Sequence, residues 1–208
     1  RTILKAIKND IAIYAIHTNL DNVKNGVNKK IAEKIGLENL QILSPKSGLL
    51  QKLVFFCPIS DSEKVKQALF AAGGGTIGEY DCCSFSVEGS GTFRAGANTN
   101  PYVGSKRELH SEKEHRVELI FPDYLKGNLL SALKSTHPYE EVAFDIYNLQ
   151  NKWNDVGSGM IGELPEPMPT LDFLDDLKNN IGTACVRHTK VIKEKVKNVI
   201  LEIAEKHQ

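Results

Sequence analysis

The sequence predicts an α/β chain that is interrupted by an α+β segment. Three observations lead to this prediction: a continuous apolar run at residues 11–16, two successive strand–helix–strand patterns in the middle of the chain, and a return to helix and strand afterwards. The order of helices and strands, more than the fraction of each, distinguishes an α/β segment from an α+β segment. We assign residues 1–51 and 151–208 to an α/β body and residues 52–150 to an inserted domain.

The first segment has the order helix, strand, loop and helix. Ile3, Leu4 and Ile7 recur at helical spacing, and the run IAIYAI at residues 11–16 suits a strand that is buried on both faces. A polar loop follows, and GVNKKIAEKIGL then predicts a helix that ends near Gly36.

The middle segment repeats strand, helix and strand twice, which is typical of the ferredoxin-like βαββαβ arrangement. Ser60 or Asp61 can cap its first helix. A Gly-, Ser- and Asn-rich loop is predicted at residues 88–112, and so long a loop is usually functional or mediates assembly. The predicted strands lie at residues 52–59, 76–89, 114–122 and 140–149, and the helices at 60–73 and 123–137.

The last segment begins with a connection, at residues 153–169, that contains several glycines and prolines. Its GSGMIG matches the dinucleotide-binding pattern, but the prolines that follow forbid the helix this pattern requires, so we predict a tight loop between domains. Thr170 then caps a helix, and residues 182–188 predict a short strand. By spacing alone, residues 191–208 predict one amphipathic helix.

Composition and charge exclude several classes of protein. The 208 residues are 41% hydrophobic, and 26 basic residues balance 26 acidic ones. A chain without net charge lacks the positive electrostatic field that a nucleic-acid-binding protein or a polybasic membrane-binding protein needs. No apolar run reaches the roughly 18 residues of a membrane span. The four cysteines form no C-x-x-C pair, so we expect reduced thiols and a cytoplasmic protein.

The loop after the apolar run is the candidate site. His17 and Asp21 supply an imidazole and a carboxylate, which are ordinary ligands of zinc, manganese or iron. Capping of the next helix by Asn19, Asp21 or Asn22 explains the same residues, and both interpretations stay open. His137 precedes a proline at a helix end, and this segment is interpreted as structural.

Five segments together resemble one known family. IAIYAIHTNLDN, CSF…GSGTF…NPYVGS, HPYEEVAFDIY, GMIGELPEPM and VRHT are similar to the NIF-three-like family, whose members are often called GTP cyclohydrolase 1 type 2 homologues. The resemblance extends from Arg1 to about residue 190.

The resemblance implies an α/β body that binds two divalent ions (Zn, Mn or Fe) and carries an inserted CutA/PII-like domain. It implies Asp21 as a metal ligand, with His17 lining the site as an orienting or proton-transferring residue. It also implies a homo-oligomer, a trimer or hexamer, in which Phe93 and Tyr102 anchor the long loop on a neighbouring subunit.

Two departures from the family pattern matter. Its adjacent histidine pair lies before the segment that matches Arg1, and its late G-H-Y-x-x-E-like segment has no counterpart in ILEIAEKHQ. We therefore expect either that parts of the family regions are missing or that the sequence joins separate segments at Val199–Ile200. In the second case KVKNV is a strand.

Two functions follow from this comparison. The first is a dinuclear metal-dependent hydrolase, in which two ions activate a bridging water. No residue is identified that recognises guanine, so the substrate is unassigned. The alternative is an oligomeric regulatory or small-molecule-binding module without catalysis, in which Arg94 could hold an anion.

Overall fold

The computed structural model describes residues 1–203 and divides the chain into two compact units. The first unit combines residues 1–46 with the described residues from 154 onward, and the second is Ser47–Trp153. The chain is of mixed α/β type with two sheets, one in each unit.

The first unit has helices on a three-stranded sheet of order β1-β6-β7. β6 pairs antiparallel with β7. Ala32, Leu37, Ile42, Met160 and Leu164 form much of its buried core. The elements are α1 Thr2–Lys8, a 3-10 helix His17–Asn22, α2 Val27–Lys34, β1 Glu38–Ser47, β6 Lys152–Pro169, α5 Thr170–Ile181 and β7 Lys195–Leu201.

The second unit is a four-stranded antiparallel sheet of order β3-β4-β2-β5 with two helices. Strands are present in the predicted ranges 52–59 and 140–149, although the second strand begins only at Phe144. The elements are β2 Leu50–Pro58, α3 Ser62–Ala71, β3 Phe85–Arg94, β4 Leu109–Pro122, a 3-10 turn Asp123–Leu125, α4 Lys126–Thr136 and β5 Phe144–Asn148.

Alternation along β2 and β4 gives this sheet one helix-covered face. Leu53, Phe55 and Cys57 point toward the helices, and so do Val117 and its neighbours two residues apart, because side chains of a strand alternate between faces. Val65 and Leu69 of α3 and Leu129 and Leu133 of α4 complete this core, and all ten core residues are buried.

The predicted strand at residues 11–16 is wrong. This run has no regular structure, and Ile11, Ile13 and Tyr14 are 60–80% exposed. The apolar pattern indicates burial, but no strand of the described residues pairs with this run, so no ladder holds it extended.

The predicted loop at GSGMIG is also wrong, since it lies inside the long strand β6. A Cβ on Gly157 would overlap backbone atoms of Ser44 and Pro45, and one on Gly162 would lie 2.6 Å from Leu40 Cδ2. These glycines therefore allow close packing of β6 against β1, an ordinary use of glycine in a strand. β1 itself was missed by the sequence analysis.

The predicted tail helix is wrong, and the alternative expectation of a strand at KVKNV is correct. Residues 195–201 form β7, and Val199 and Ile200 lie within it, opposite Gly162 and Ile161. Residues 204–208 of that predicted helix lie outside the described residues. The predicted strand at 182–188 has no regular structure, and Thr170 bonds to the Lys193 carbonyl instead of capping α5.

The predicted loop at residues 88–112 is much shorter than expected. Its two ends belong to β3 and β4, which pair from Phe85↔Glu118 to Arg94↔Leu109, so only residues 95–108 connect them. The glycines and serines that suggested a loop are strand residues here.

Candidate functional site

Asp21 lines a small recess of the first unit. It belongs to the 3-10 helix that follows the irregular residues 11–16, not to the end of a strand. The recess has a volume of about 180 Å³, and Thr18, Asn28, Ser158 and Glu202 also line it. Asp21 thus faces a recess that a second carboxylate, Glu202, also lines.

β6 holds the Asp21 loop in place. An isolated antiparallel bridge joins Val23 to Val156, and the Lys24 N–H donates to the Asp155 carbonyl at 2.9 Å. Ser158 Oγ donates to Asn22 Oδ1 at 3.2 Å. These contacts tie the loop to β6 on both sides of Val23.

Asn28 connects the start of α2 to this loop. Its Nδ2 donates to the Asp21 backbone carbonyl at 2.9 Å, and the residue is 3% exposed. Its Oδ1 is buried and has no hydrogen-bond partner among the described residues. A buried amide oxygen normally has a partner, which can be a water molecule or an ion.

A divalent ion would find oxygen ligands in this recess, from Asp21, Glu202 and Asn28 Oδ1. Such ligands suit hard cations. Within residues 1–203, however, no group of three His, Cys, Asp or Glu side chains is arranged to hold a metal. The described residues therefore do not fit a two-ion centre by themselves.

His17 is exposed and does not line the recess. Its backbone has a left-handed φ of 42°, at the first residue of the 3-10 helix. Its predicted role beside Asp21 stays a prediction.

The second unit holds a larger cavity, of about 610 Å³, which we call the sheet cavity. It lies on the face of the sheet opposite α3 and α4, over Phe56 of β2, Gly91 of β3 and Glu114 of β4. Side chains from residues 93–102 and from 139–143 enclose it.

Tyr139 is the centre of the aromatic wall of this cavity. Its ring centroid lies 6.1 Å from that of Phe93, 6.2 Å from Tyr102 and 5.1 Å from His137. Burial, with the nearby Glu114 carboxylate as a further cause, raises the pKa of Tyr139 well above its usual range. The Tyr139 hydroxyl is buried, and no described residue offers it a well-formed hydrogen bond.

His137, the residue that directly follows α4, positions Tyr139. Its Nε2 donates to the Phe56 carbonyl at 2.9 Å, and its Nδ1 accepts the Tyr139 N–H at 3.1 Å, which requires the neutral ring. Burial lowers the pKa of His137. The structural interpretation of this segment is consistent with these contacts.

Phe93 and Tyr102, the predicted anchors on a neighbouring subunit, pack on Tyr139 of their own chain. Tyr102 is still 55% exposed. Both rings therefore have aromatic partners within their own chain, and their contact with a neighbouring subunit stays a prediction.

Comparisons with known proteins agree with this architecture. The model of the Duf34/NIF3 (NGG1p interacting factor 3) family matches residues 1–201. The chain belongs to this family. It is 38% identical over 200 residues to a protein of Halalkalibacterium halodurans called GTP cyclohydrolase 1 type 2 homolog, and 38% identical over 200 residues to one of Bacillus subtilis with the same name.

A solved structure of a Duf34/NIF3 relative has the same fold. The crystal structure of the Bacillus cereus protein related to NIF3 superposes with a TM-score of 0.81 at 40% identity, over 98% of this chain and 54% of that one. The matches to the two curated relatives likewise cover 96% of this chain but only 54% of each relative. It spans about half the length of these Duf34/NIF3 proteins.

The sequence analysis missed Asn28, Glu114 and Glu202. Asn28 carried a signal, because it is a polar residue one turn before Ala32 on the buried face of α2. Glu114 and Glu202 carried none, since their surroundings come from strand pairings distant in sequence. None of the helices in residues 1–203 has the length and hydrophobicity that a membrane-spanning segment needs.

Proposed function

We propose that this Duf34/NIF3 chain contributes Asp21 to a divalent-metal centre, and that the whole protein is a metal-dependent hydrolase. The observation that supports this most is the position of Asp21, which faces the recess with Glu202 and the unpaired Asn28 Oδ1. The name of the relatives, GTP cyclohydrolase 1 type 2 homolog, suggests hydrolysis of a nucleotide.

Metal content and activity test this proposal. We expect full-length protein to hold about two ions of zinc, manganese or iron per chain and to hydrolyse one member of a panel of nucleotides and phosphoesters. Asp21→Asn should lower both the metal content and the activity. Asp155→Asn is the matched control, because Asp155 is half-exposed and pairs with Lys24. Unchanged metal content in Asp21→Asn would reject Asp21 as a ligand.

We propose a second function, small-molecule binding by an inserted ferredoxin-like domain, and the sheet cavity favours it. The strand order β3-β4-β2-β5, with one helix after β2 and one after β4, has the ferredoxin-like connectivity. A cavity of about 610 Å³ lies within the size range of ligand sites. CutA and PII are the domains that such an insertion resembles.

We also propose that the protein forms a homo-oligomer, a trimer or hexamer, with the exposed ring of Tyr102 at a subunit contact. The ring supports this proposal because it is 55% exposed beside the sheet cavity. Sedimentation of Phe93→Ala with Tyr102→Ala tests it: the double variant should dissociate and stay folded, and an unchanged oligomer would exclude this surface.

A further inference from the structure

The sheet cavity combines aromatic walls with one buried carboxylate. Phe56, Phe93, Tyr102 and Tyr139 line it from the sheet and from both neighbouring loops. Glu114 also lines it, although this residue is only 8% exposed. Aromatic faces around an anionic group are the surroundings in which proteins hold organic cations.

Glu114 has no cationic partner. No ion pair reaches its carboxylate from any residue between 1 and 203, and the neutral Tyr139 hydroxyl lies beside it. Buried carboxylates are normally paired, because removal of their hydration is costly. The Glu114 carboxylate therefore lacks the positively charged partner that a buried carboxylate normally has.

Gly91 makes room for the Glu114 side chain. It lies on the same face of the sheet as Glu114, two residues along β3 from Gly89, which pairs with Glu114. A Cβ on Gly91 would overlap Glu114 Oε2. The strand thus carries a glycine where the carboxylate lies. On Gly89, by contrast, a Cβ would meet nothing within 4 Å.

The charges around the cavity favour a cation over an anion. Glu88, Glu140 and Glu141 add to Glu114, whereas only two arginines line the cavity. Arg116 is bound to Glu118 outside it, and Arg94 is exposed. Glu140 accepts the Asn100 N–H at 3.0 Å, which leaves its charge in place.

We infer that the sheet cavity binds a small organic ammonium compound, with the ammonium group against Glu114 and the rings of Phe93 and Tyr139. This inference rests on the second proposed function, which it makes specific. The chemical class is a primary to quaternary amine with an apolar body.

Three probes of the same shape and different charge test it. Choline carries a positive charge, 3,3-dimethyl-1-butanol is its neutral analogue, and 3,3-dimethylbutanoate is an anionic analogue. Titration of the whole chain, followed by calorimetry and by the aromatic NMR signals, should show saturable binding of choline below about 50 mM. The neutral and anionic analogues should bind at least about tenfold more weakly.

Variants separate the carboxylate from the rings. Glu114→Gln should weaken choline binding at least about tenfold, and Phe93→Leu about threefold or more, since leucine keeps the apolar contact without the ring. Glu63→Gln is the matched control, because it removes the same charge from α3, behind the sheet, and should change binding less than about twofold. Thermal unfolding of each variant verifies that it is folded.

The outcomes distinguish this inference from the function on which it rests. Equal or stronger binding of either analogue would overturn the ammonium class and leave a small-molecule site. Unchanged choline binding in folded Glu114→Gln would overturn the role of the carboxylate. Failure of all three probes to bind would overturn both the inference and the proposed binding function.

Discussion

His137 is held as a neutral imidazole, and this makes stability depend on pH. Its pKa is lowered from 6.5 by burial, although the Phe56 carbonyl, Glu114 and Asp61 oppose this shift. Below pH 6.5 the unfolded chain therefore binds a proton that the folded chain resists. The stabilisation from the neutral ring is complete above pH 6.5 and is lost as the pH falls toward the lowered pKa.

We predict that His137→Gln removes part of this dependence. At pH 7.5 the variant should lose about 1–3 kcal/mol, because the terminal amide of glutamine holds its donor and its acceptor at other positions than the two ring nitrogens that serve the Phe56 carbonyl and the Tyr139 N–H. Between pH 7.5 and 5.5 its unfolding free energy should fall less than that of the original protein. Denaturant unfolding at both pH values measures this, with exposed His188→Gln as control. Parallel pH curves for all three proteins would contradict the prediction.

Gly91 and Gly89 allow a second comparison at single residues. Both lie in β3 on the same face, but only at Gly91 would an added methyl group overlap Glu114. Gly91→Ala should therefore destabilise by about 1–3 kcal/mol, the usual result of overpacking. Gly89→Ala should be neutral or stabilising by about 0.5 kcal/mol, because alanine restricts the unfolded chain. Denaturant unfolding of the two variants decides this, and equal effects would mean that Glu114 moves aside freely.

At the scale of the elements, one lysine bridges the irregular part of the ladder between β6 and β7. Their register shifts between Glu163 and Met168, and Lys197 Nζ donates there to the carbonyls of Leu164 at 2.6 Å and Pro165 at 2.8 Å. These two carbonyls lie in the irregular part of the ladder, where no strand N–H is opposite them. The ammonium group thus replaces the missing ladder contacts.

We predict that Lys197→Met destabilises the first unit by about 1–3 kcal/mol, the cost of leaving carbonyls without their charged donor. Methionine retains most of the apolar length of the side chain. Lys195→Met, at an exposed position of the same strand, should change stability by less than about 0.5 kcal/mol. Both are measured by chemical unfolding, and a neutral Lys197→Met would show that water serves the two carbonyls equally well.

The elements also show which patterns in the sequence carry structural information. β2 and α3 were predicted because their apolar residues alternate or recur with the period of the element, and the core uses those residues. β6 was mispredicted because its glycines and prolines suggested a loop. β7 was mispredicted because its apolar residues happen to recur at helical spacing. In both strands the decisive contacts, Gly157 on β1 and Lys197 on the bulge, come from distant residues.

In the candidate site too, the local motif was predictable and the contacts between distant residues were not. Asp21 could be singled out because its motif is local and polar. The residues that line the recess with Asp21 are distant in sequence. Glu202, for example, reaches the recess through the antiparallel pairing of β6 with β7. Glu114 could not be found, because its burial depends on a glycine in another strand.

At the scale of the whole molecule, the second unit has the features of an independently folding domain. Its ten-residue core draws only on residues between 53 and 133, and its four strands pair only with one another. Its first and last strands are neighbours, with Gln51 opposite Asn148, and the Leu149 N–H donates to the Leu50 carbonyl at 2.9 Å. The chain therefore enters and leaves this unit at one place, as in tolerated domain insertions.

We predict that a fragment of residues 47–153 folds without the rest of the chain. It should unfold in one cooperative transition, because its buried core is complete and no strand of its sheet loses a partner. A fragment of residues 47–141 is the matched control: it lacks β5, so the edge of β2 is exposed and Phe144 and Ile146 no longer cover the core. Circular dichroism during thermal unfolding compares the two. If the longer fragment shows no transition, the core of this unit depends on the first unit, and the two are one cooperative structure.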